Sequence, residues 1–252
     1  MKNIHKGETC IIIGNGQSLE NVPLEFLNKY PNFACNQIRM TEKRPQLAGF
    51  QPMYFSSIGF NMLDTEERRE AMRPTIANAK MAFINVGYAH YYQYKHVWAI
   101  LGEQSEEGHQ YLDYKLDDEY DLKERMLFRK EIEIAFYGDR PFIIVPVGFT
   151  QTYINLNIAY WMGFTTALMV GIDHDFGSPD RHFYKDDEIE SFHLSSERTG
   201  EEAEQAYRLE IGADWAYSQA RKAYEEDGRQ ILNLTPDSKA KALEFGRLEE
   251  WL

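Results

Sequence analysis

The sequence predicts an α/β fold, an open and mainly parallel Rossmann-like sheet with helices on both faces. Short apolar segments recur along the 252 residues as continuous hydrophobic runs, which are typical of strands covered on both faces. Segments with helical character lie between these runs, and strands that alternate with helices form a parallel sheet. Neither internal repeats nor a Pro- or Ser-rich linker divides the chain, so a single domain over residues 1–252 is expected.

Seven apolar runs are predicted to form strands. The first, TCIIIG, contains three isoleucines in succession, and β-branched residues favour strands. All seven are short, as strands of globular domains usually are. They cover residues 9–14, 33–37, 53–58, 81–86, 141–147, 167–173 and 231–235.

Two helices are predicted between these strands. Residues 64–80 begin with the sequence DTEE, a typical helix start, but Pro74 is expected to kink or split the helix. Residues 150–162 lead into Gly163, which is a typical C-terminal cap.

The longest predicted helix covers residues 201–227. Its alanines and tyrosines recur at spacings of three and four residues and form one apolar stripe. Gly212 interrupts this pattern and is expected to join a mobile segment to the packed part of the helix. Residues 175–200 have no apolar period but contain two of the seven histidines, and a long loop after a strand is uncommon unless it is functional. A lid over residues 175–212 is therefore predicted.

The net charge of the chain limits the kinds of molecule that it can be expected to bind. The formal net charge is −13, which argues against nucleic acid or an anionic membrane as the main partner, because both would be repelled. An anionic small molecule remains compatible, since backbone N–H groups at a helix start can hold a phosphate. The acidic residues 103–126 are interpreted as a solvated excursion.

The cysteines and the N-terminus indicate a compartment. Cys10 and Cys35 both lie in apolar runs, which is typical of buried free thiols in a reducing environment. The N-terminal residues contain no apolar signal region, and no segment reaches the roughly 18 apolar residues of a membrane span. A cytoplasmic location is therefore expected.

A glycine-containing loop, Gly14-Asn15-Gly16-Gln17-Ser18, follows the first predicted strand. Ligands of open α/β sheets bind outside the carboxyl ends of the strands, where this loop should lie. No Gly-Lys-Ser/Thr follows it, and Leu19 stands where a dinucleotide fingerprint has its third glycine, so NAD is disfavoured. What remains is a tight turn at which the backbone can approach a ligand, or one that only packs a strand against a helix.

The next two predicted strands also end in small polar residues. Asn36 and Gln37 end the second strand, and their amides can recognise the edge of a nucleobase or ribose, although turn chemistry favours Asn as well. Ser56 and Ser57 end the third strand. Three successive strand ends with such groups suggest a shared ligand crevice.

A third polar cluster, Asp173-His174-Asp175, directly follows the apolar run that ends at Ile172. Three ionisable groups at the carboxyl end of a strand can bind a divalent cation or perform acid/base chemistry. The alternative is that one of them caps a turn while the others are solvated.

Several of these segments together resemble a known superfamily. IIIGNGQSL, CNQ, GFTQTYINLNIAYWMGFTTALMVGIDHDF, HF and GRQILNLTP occur in this order in two related groups of bacterial proteins. One group contains the MptE-like hydroxymethylpterin pyrophosphokinases and the motility-accessory-factor proteins of flagellar glycosylation. The other is glycosyltransferase family 42, the bacterial sialyltransferases, which use a CMP-activated sugar. The resemblance covers residues 9–37 and 141–236, and GIDHDF is more similar to the MptE-like group.

The resemblance implies a set of nucleotide contacts. In the sialyltransferases the matching loop and amides hold the cytidine nucleotide, and a Thr-Ser-Gly segment that matches the helix start here lies near the phosphate and donor sugar. Amides at a helix N-terminus favour such an anion on physical grounds too. The implied contacts are Gly14, Asn15, Gly16, Gln17, Ser18, Asn36, Gln37, Ser56, Thr150, Gln151 and Thr152.

The resemblance also implies a base on the lid, because family sialyltransferases use a lid histidine as general base and lid tyrosines to hold the phosphate. This chain offers His182 and His193, with Tyr184 as the phosphate ligand, but neither histidine aligns cleanly. His182 is favoured because HF recurs in the MptE-like group, and the usual histidine pKa near 6.5 suits a base at neutral pH. His174 is the rival, and Asp173 is a further acid/base candidate.

Three functions remain open. The first is a glycosyltransferase that moves a sugar from a nucleotide donor, CMP-linked by the resemblance, to a glycan acceptor without a metal. The second is an MptE-like pyrophosphokinase with ATP and Mg²⁺, in which Asp173 and Asp175 would hold the metal. The third is a non-catalytic nucleotide-binding module. The aromatic residues in 88–98 are compatible with an acceptor platform, a homo-oligomer face or core packing.

Overall fold

A computed structural model describes most of the chain: residues 1–59, 62–102, 127–137, 140–146, 148–178, 182–184 and 200–252. The acidic stretch 103–126 lies outside these residues, as do His193 and, with it, residues 179–181 and 185–199 of the predicted lid. Among the described residues no helix is both long enough and apolar enough to cross a membrane.

The described residues form one ten-stranded sheet with the order β10-β9-β8-β1-β2-β3-β4-β5-β7-β6. All neighbouring strands are parallel except β6 and β7, which form an antiparallel edge. The strands are β1 (Thr9–Ile13), β2 (Asn32–Cys35), β3 (Tyr54–Ser57), β4 (Met81–Asn85), β5 (Val97–Gly102), β6 (Glu133–Tyr137), β7 (Arg140–Val145), β8 (Thr166–Val170), β9 (Gln230–Asn233) and β10 (Glu244–Phe245).

All seven predicted strands are confirmed, and three further strands were not predicted. β5 begins at Val97, inside the aromatic stretch 88–98. That stretch was interpreted as a platform, an oligomer face or core packing, so the strand that starts in it was not recognised. β6 is an edge strand whose Ile134 is exposed, and it therefore has no continuous buried run. β10 has only two residues, both exposed, and carries no hydrophobic signal.

Four α-helices are described: α1 (Leu24–Leu27), α2 (Glu66–Asn78), α3 (Gln151–Met162) and α4 (Gly200–Glu226). The hydroxyl of Thr65 accepts a hydrogen bond from the backbone N–H of Arg68 and caps α2, as its sequence start indicated. Pro74 lies within α2 and does not split it, so of the two expected outcomes the split is wrong and the kink stays a prediction. α3 ends at Gly163 with φ of +98°, the left-handed cap expected there.

The long helix predicted over residues 201–227 is confirmed, and it runs through Gly212 without a break. α4 is continuous from residue 200 to residue 226, so residues 200–212, which the prediction assigned to the lid, are helical. A Cβ atom at Gly212 would lie 2.2 Å from the ring of Phe149. The absence of a side chain therefore lets Phe149 pack directly against the backbone of α4.

The sheet is covered on both faces, as the continuous apolar runs predicted. Along β1, Cys10 and Ile12 belong to the core beneath α3 and α4, whereas Ile11 and Ile13 belong to the core beneath α1 and α2. Alternate side chains of one strand thus enter two separate cores. The α/β fold with a mainly parallel Rossmann-like sheet is confirmed.

The strand order reverses next to β1. The chain moves outward from β1 through β2, β3, β4 and β5 on one side, and it returns to place β8 on the other side of β1. Such a reversal opens a crevice at the carboxyl ends of the two central strands, and it is the usual ligand site of open α/β sheets. The fold therefore places the loops after β1 and β8 at the crevice.

Candidate functional site

A cavity of about 250 Å³ lies at this reversal, and we call it the switch-point cavity. It is bordered by the carboxyl ends of β1, β2 and β8, the N-terminus of α3 and one side of α4. Its volume is slightly below the roughly 300–1,000 Å³ of typical small-molecule sites. The lining residues are Gly14, Asn15, Gly16, Cys35, Asn36, Phe149, Thr150, Gln151, Thr152, Gly171, Ile172, Asp173, His174, Asp175, Phe176, His182 and Tyr217.

The glycines of the β1 loop are required by the neighbouring β8 loop. The backbone N–H of Gly16 donates to the carbonyl of Gly171 at 2.9 Å, so the two loops lie side by side. A Cβ atom at Gly16 would lie 1.8 Å from the carboxylate of Asp173, and one at Gly14 would lie 2.3 Å from the carbonyl of Gly171. Close loop packing explains both glycines without a ligand.

Asp173 fixes this contact between the two loops. Its Oδ2 accepts a hydrogen bond from the hydroxyl of Ser18 at 2.8 Å, and its carboxylate is 3.3 Å from the backbone nitrogen of Ser18. The Ser18 side chain is directed to Asp173 and does not line the cavity, and Gln17 is exposed and does not line it either. Asp173 lines the cavity while it stabilises the loop.

Asn15 presents an unused acceptor at the cavity wall. Its Nδ2 donates to the carbonyl of Cys35 at 3.1 Å, which fixes the orientation of the amide. Its Oδ1 is buried and has no hydrogen-bond partner in the described part of the chain. A buried polar atom without a partner costs about 1–3 kcal/mol, so this oxygen is suited to a donor from a ligand or a water.

The two amides after β2 point in different directions. Asn36 lines the cavity, has φ of +49° and accepts a hydrogen bond on Oδ1 from the hydroxyl of Ser57 at 3.3 Å. Gln37 is buried and accepts a hydrogen bond from the guanidinium of Arg39 at 3.0 Å. The left-handed backbone at Asn36 starts a 3-10 helix, which turns Gln37 into the interior. The structure does not bring Gln37 to the cavity.

Ser56 lies beneath the cavity and supports its wall. Its hydroxyl donates to Oδ1 of Asn155 at 2.6 Å and accepts from Nε2 of Gln151 at 2.9 Å. Oε1 of Gln151 in turn accepts from the backbone N–H of Ile58 at 3.3 Å. Gln151 lines the cavity with its amide already bonded, and Ser56 is buried away from the cavity.

Three hydroxyls meet at the N-terminus of α3. The Thr150 hydroxyl caps the helix by accepting from the backbone N–H of Tyr153, and it is 2.9 Å from the Thr152 hydroxyl. The Tyr217 hydroxyl from α4 is 3.2 Å from the first and 2.5 Å from the second. Burial raises the pKa of Tyr217, so its hydroxyl stays protonated. Tyr217 was not predicted as a site residue, because it was interpreted only as part of the apolar stripe of this helix. Its polar hydroxyl on an otherwise apolar stripe was the feature that could have indicated a role.

His174 is a neutral histidine at the cavity. Its Nε2 lies 3.0 Å from the carbonyl oxygen of Glu210, to which it must donate, and 3.8 Å from a carboxylate oxygen of Asp214. Burial lowers the pKa of His174, and Asp214 offsets part of this effect. The neutral ring therefore keeps its proton on Nε2, which leaves Nδ1 as an acceptor.

His182 also lines the switch-point cavity. Its ring stacks on Tyr184 with a centroid distance of 4.8 Å and an interplanar angle of 15°. Tyr184 itself is buried in the core beneath α1 and α2 and does not line the cavity, because its ring packs inward. The structure thus brings together His174 and His182, but not Tyr184.

The carboxylates proposed for Mg²⁺ are already bonded within the protein. Asp173 is bound by Ser18, and Asp175 forms a 2.9 Å ion pair with Lys239. Among the described residues no group of three or more His, Cys, Asp or Glu side chains is arranged to hold a metal ion. Magnesium sites in phosphotransferases use one or two carboxylates together with the phosphates of the substrate, so the Mg²⁺ alternative stays a prediction.

Strained backbone is concentrated at the cavity. Among the described residues five non-glycine residues have positive φ, and three of them line the cavity: Asn36 at +49°, Phe149 at +39° and His174 at +56°. Such conformations are rare for residues with side chains and cluster at functional sites. The sequence contains no signal for this strain at Phe149, which was not predicted as a site residue.

The comparisons with known proteins agree with this architecture. No protein-family model matches the chain, and the search of curated proteins finds no match. The sialyltransferase CstII from Campylobacter jejuni, solved in complex with CMP, superposes with a TM-score of 0.51 at 15% identity over 95% of this chain and 85% of that chain.

A point variant of the sialyltransferase Cst-II, also in complex with CMP, has a TM-score of 0.51 at 15% identity over 94% of this chain and 86% of that chain. A variant of the α-2,3/8-sialyltransferase CstII gives 0.51 at 13% identity over the same shares. At this identity the likeness shows the fold. The resemblance to the MptE-like group stays a prediction.

Proposed function

We propose that this chain is a glycosyltransferase that binds a CMP-linked sugar in the switch-point cavity and transfers the sugar to a glycan acceptor. The observation that carries the proposal is the convergence of three strand ends, a helix N-terminus, two histidines and three strained residues on one cavity. The likeness of the fold to a sialyltransferase solved with CMP supports this choice of nucleotide.

The nucleoside would be held by the two amides that follow β1 and β2. Asn15 offers a buried acceptor whose orientation is fixed by Cys35. In the described part of the chain the Nδ2 of Asn36 has no protein partner, while its Oδ1 is held by Ser57. One acceptor and one donor match the paired polar groups of a nucleobase or ribose edge.

The phosphate would lie at the N-terminus of α3. The partial positive charge of the helix end and the hydroxyls of Thr150, Thr152 and Tyr217 would stabilise the charge that develops on the leaving CMP. The described lining contains no Lys or Arg but does contain Asp173 and Asp175. This balance favours the single phosphate of a CMP-sugar over the chain of phosphates in ATP or a nucleoside-diphosphate sugar.

A histidine at the cavity would remove the proton from the acceptor hydroxyl as the sugar is transferred. His182 is the favoured base, because it lines the cavity and belongs to the HF pair that recurs in the MptE-like group. His174 is the second candidate, since its Nδ1 remains an acceptor at neutral pH.

Calorimetry with CMP, CTP, ATP and GDP, each with and without Mg²⁺, tests the nucleotide. We expect CMP to bind without a metal. Binding of ATP only with Mg²⁺ would contradict the proposal and favour the pyrophosphokinase. Binding of CMP by a protein that turns over no CMP-sugar with any glycan acceptor would favour a non-catalytic module.

The base is tested by substitution. His182→Ala is expected to lower turnover of a CMP-linked sugar with little change in CMP affinity, because a base acts on the acceptor and not on the nucleotide. Unchanged turnover in this variant would exclude His182 and leave His174 or His193.

A further inference from the structure

The backbone of Phe183, next to His182, is held from two sides. Its N–H donates to the carbonyl of Asn15 at 3.0 Å, and its carbonyl accepts from Nε of Arg44 at 3.0 Å. Asn15 belongs to the loop after β1, and Arg44 follows the 3-10 helix after β2. The loop after β1 and the segment after β2 therefore both hold the backbone of Phe183.

Arg44 is itself fixed in place. Its single Nε–H is shared between Oε1 of Glu20, at 2.6 Å, and the Phe183 carbonyl, and its backbone N–H donates to the carbonyl of Thr41 at 3.0 Å. Glu20 lies in the 3-10 turn that continues the glycine loop. The Arg44 side chain is mostly buried, with 18% exposure, so its bond to the Phe183 carbonyl is a charge-assisted bond with limited solvent screening.

The side chains of residues 182–184 divide into anchors and a presented group. Phe183 and Tyr184 are buried in the core beneath α1 and α2, and their rings meet at right angles with centroids 5.0 Å apart. His182 stacks on Tyr184 and lines the cavity. The two anchors and the clamped backbone of Phe183 together determine where the imidazole lies.

We propose that Arg44 is a positioning residue for His182: paired with Glu20, it clamps the Phe183 carbonyl and thereby holds the imidazole at the switch-point cavity. The consequence for turnover rests on the proposed function, whereas the effect on the position of His182 does not. The second clamp is the backbone carbonyl of Asn15. Asn15 would therefore have two roles, since its side chain faces the proposed nucleotide site and its backbone helps to position His182.

Loss of this clamp should affect turnover more than binding. Arg44 does not line the cavity, so CMP would keep its proposed contacts in an Arg44 variant. The imidazole would instead sample positions away from the acceptor, and a displacement of about 1 Å can lower a rate by roughly 100-fold. The expected signature is a lower kcat with an unchanged KM for the donor.

The test compares Arg44→Gln and Arg44→Lys with Arg221→Gln. Arg221 forms an Arg–Glu pair of the same 2.6 Å length with Glu225 on the exposed side of α4, which makes it a matched control. The ring-proton shifts of His182 are measured by NMR and assigned with His182→Asn. Hydrogen–deuterium exchange of the Phe183 backbone amide is measured in the same samples. Kinetics are measured with CMP-N-acetylneuraminic acid as the donor.

In Arg44→Gln we expect the stacked-ring shift of His182 to move toward the value of a solvated histidine. Exchange of the Phe183 amide should rise about tenfold or more, because the local opening becomes easier. Affinity for CMP should stay within about twofold, and kcat should fall roughly 10- to 100-fold. Arg44→Lys should recover part of each effect, and Arg221→Gln should show none.

Unchanged His182 shifts and Phe183 exchange in Arg44→Gln would overturn the positioning role. Wild-type kcat despite a loosened segment would overturn the predicted consequence for turnover, and would leave the proposed function standing. A wild-type protein that neither binds CMP nor uses the donor would instead refute the proposed function, and the NMR result would still decide whether Arg44 positions His182. If Arg44→Gln does not fold, Glu20→Gln, which removes only the charge partner, is measured in the same way.

Discussion

Two concave regions lie at opposite edges of the sheet, and only the smaller one has the properties of a site. The switch-point cavity, about 250 Å³, lies at the carboxyl edge. A more open hollow of about 400 Å³ lies at the amino ends of β2, β3 and β4, and we call it the amino-edge hollow. It is lined by Asn28, Lys29, Tyr30, Pro31, Asn32, Gln51, Pro52, Met53, Asn78 and Lys80.

The two regions differ in how many of their polar groups already have hydrogen-bond partners within the protein. In the amino-edge hollow, Asn32 donates to the carbonyl of Leu27 and accepts from the backbone N–H of Met53, and Lys29 bonds the carbonyl of Trp251. None of the residues that line this hollow has positive φ. The switch-point cavity has a buried acceptor without a partner, strained residues and two histidines. Unused bonding capacity and strain thus indicate a site better than volume does.

The largest expected effect is that of Gly16→Ala. The new Cβ would overlap the carboxylate of Asp173 and push the β1 loop from the β8 loop, so measurable CMP binding should be lost. The free energy of unfolding should fall by about 1–3 kcal/mol. Calorimetry and chemical denaturation measure the two effects. Gly177→Ala is the control, since its Cβ would meet only Asp175, at 3.9 Å; equal CMP affinity in both variants would contradict the loop contact.

A smaller loss is expected for Asn36→Gly. Glycine accepts the positive φ of this position, so the change removes the amide with little added backbone strain. CMP binding should weaken by about 1–3 kcal/mol, as for a lost polar partner. Gln37→Ala should leave CMP affinity unchanged, because Gln37 is buried against Arg39. A larger loss of affinity in Gln37→Ala than in Asn36→Gly would reverse the assignment of the two amides.

A pH effect is expected from His174. Its folded pKa is lowered by burial, so the unfolded chain, with a histidine pKa near 6.5, takes up this proton first as pH falls. The stability contributed by neutral His174 is therefore fully present above about pH 6.5 and is lost as pH falls through the folded pKa. His174→Gln should flatten the decline in Tm below that pH. His90→Gln, at an exposed position, is the control, and a decline as steep as in the wild type would exclude His174 as its source.

The smallest effect is expected at the amino-edge hollow. Lys80→Ala removes an exposed cation from its rim, and CMP affinity should change by less than about twofold, because the hollow lies at the other end of the strands. Calorimetry with CMP checks this. A tenfold loss would mean that the nucleotide binds at the amino edge.

The sequence was sufficient for most of the sheet but not for its edges. Central strands are buried on both faces, so β1 and β8 are largely continuous apolar runs that can be recognised in the sequence. Edge strands such as β6 and β10 expose one side or are very short, and they lose that signal. Pro74 shows a different limit, since the residue type predicted a kink or a split and the helix continues through it without a split.

Strand ends predicted the location of the site but not the direction of each side chain. Asn15, Asn36 and Thr150 follow from the rule that loops at the carboxyl edge converge. Whether Gln37 or Ser56 also faces the cavity depends on a left-handed residue and on buried partners far away in sequence, which no local pattern encodes. Tyr217 reaches the cavity only through the packing of α4 against α3, a contact that the sequence does not contain.

Cys35 forms part of the cavity wall, and burial raises the pKa of its thiol to about 12. Alkylating and oxidising reagents attack the thiolate, which this residue does not form at neutral pH. A maleimide or peroxide should therefore leave nucleotide binding intact, and the protein should need no reductant during purification to keep its site.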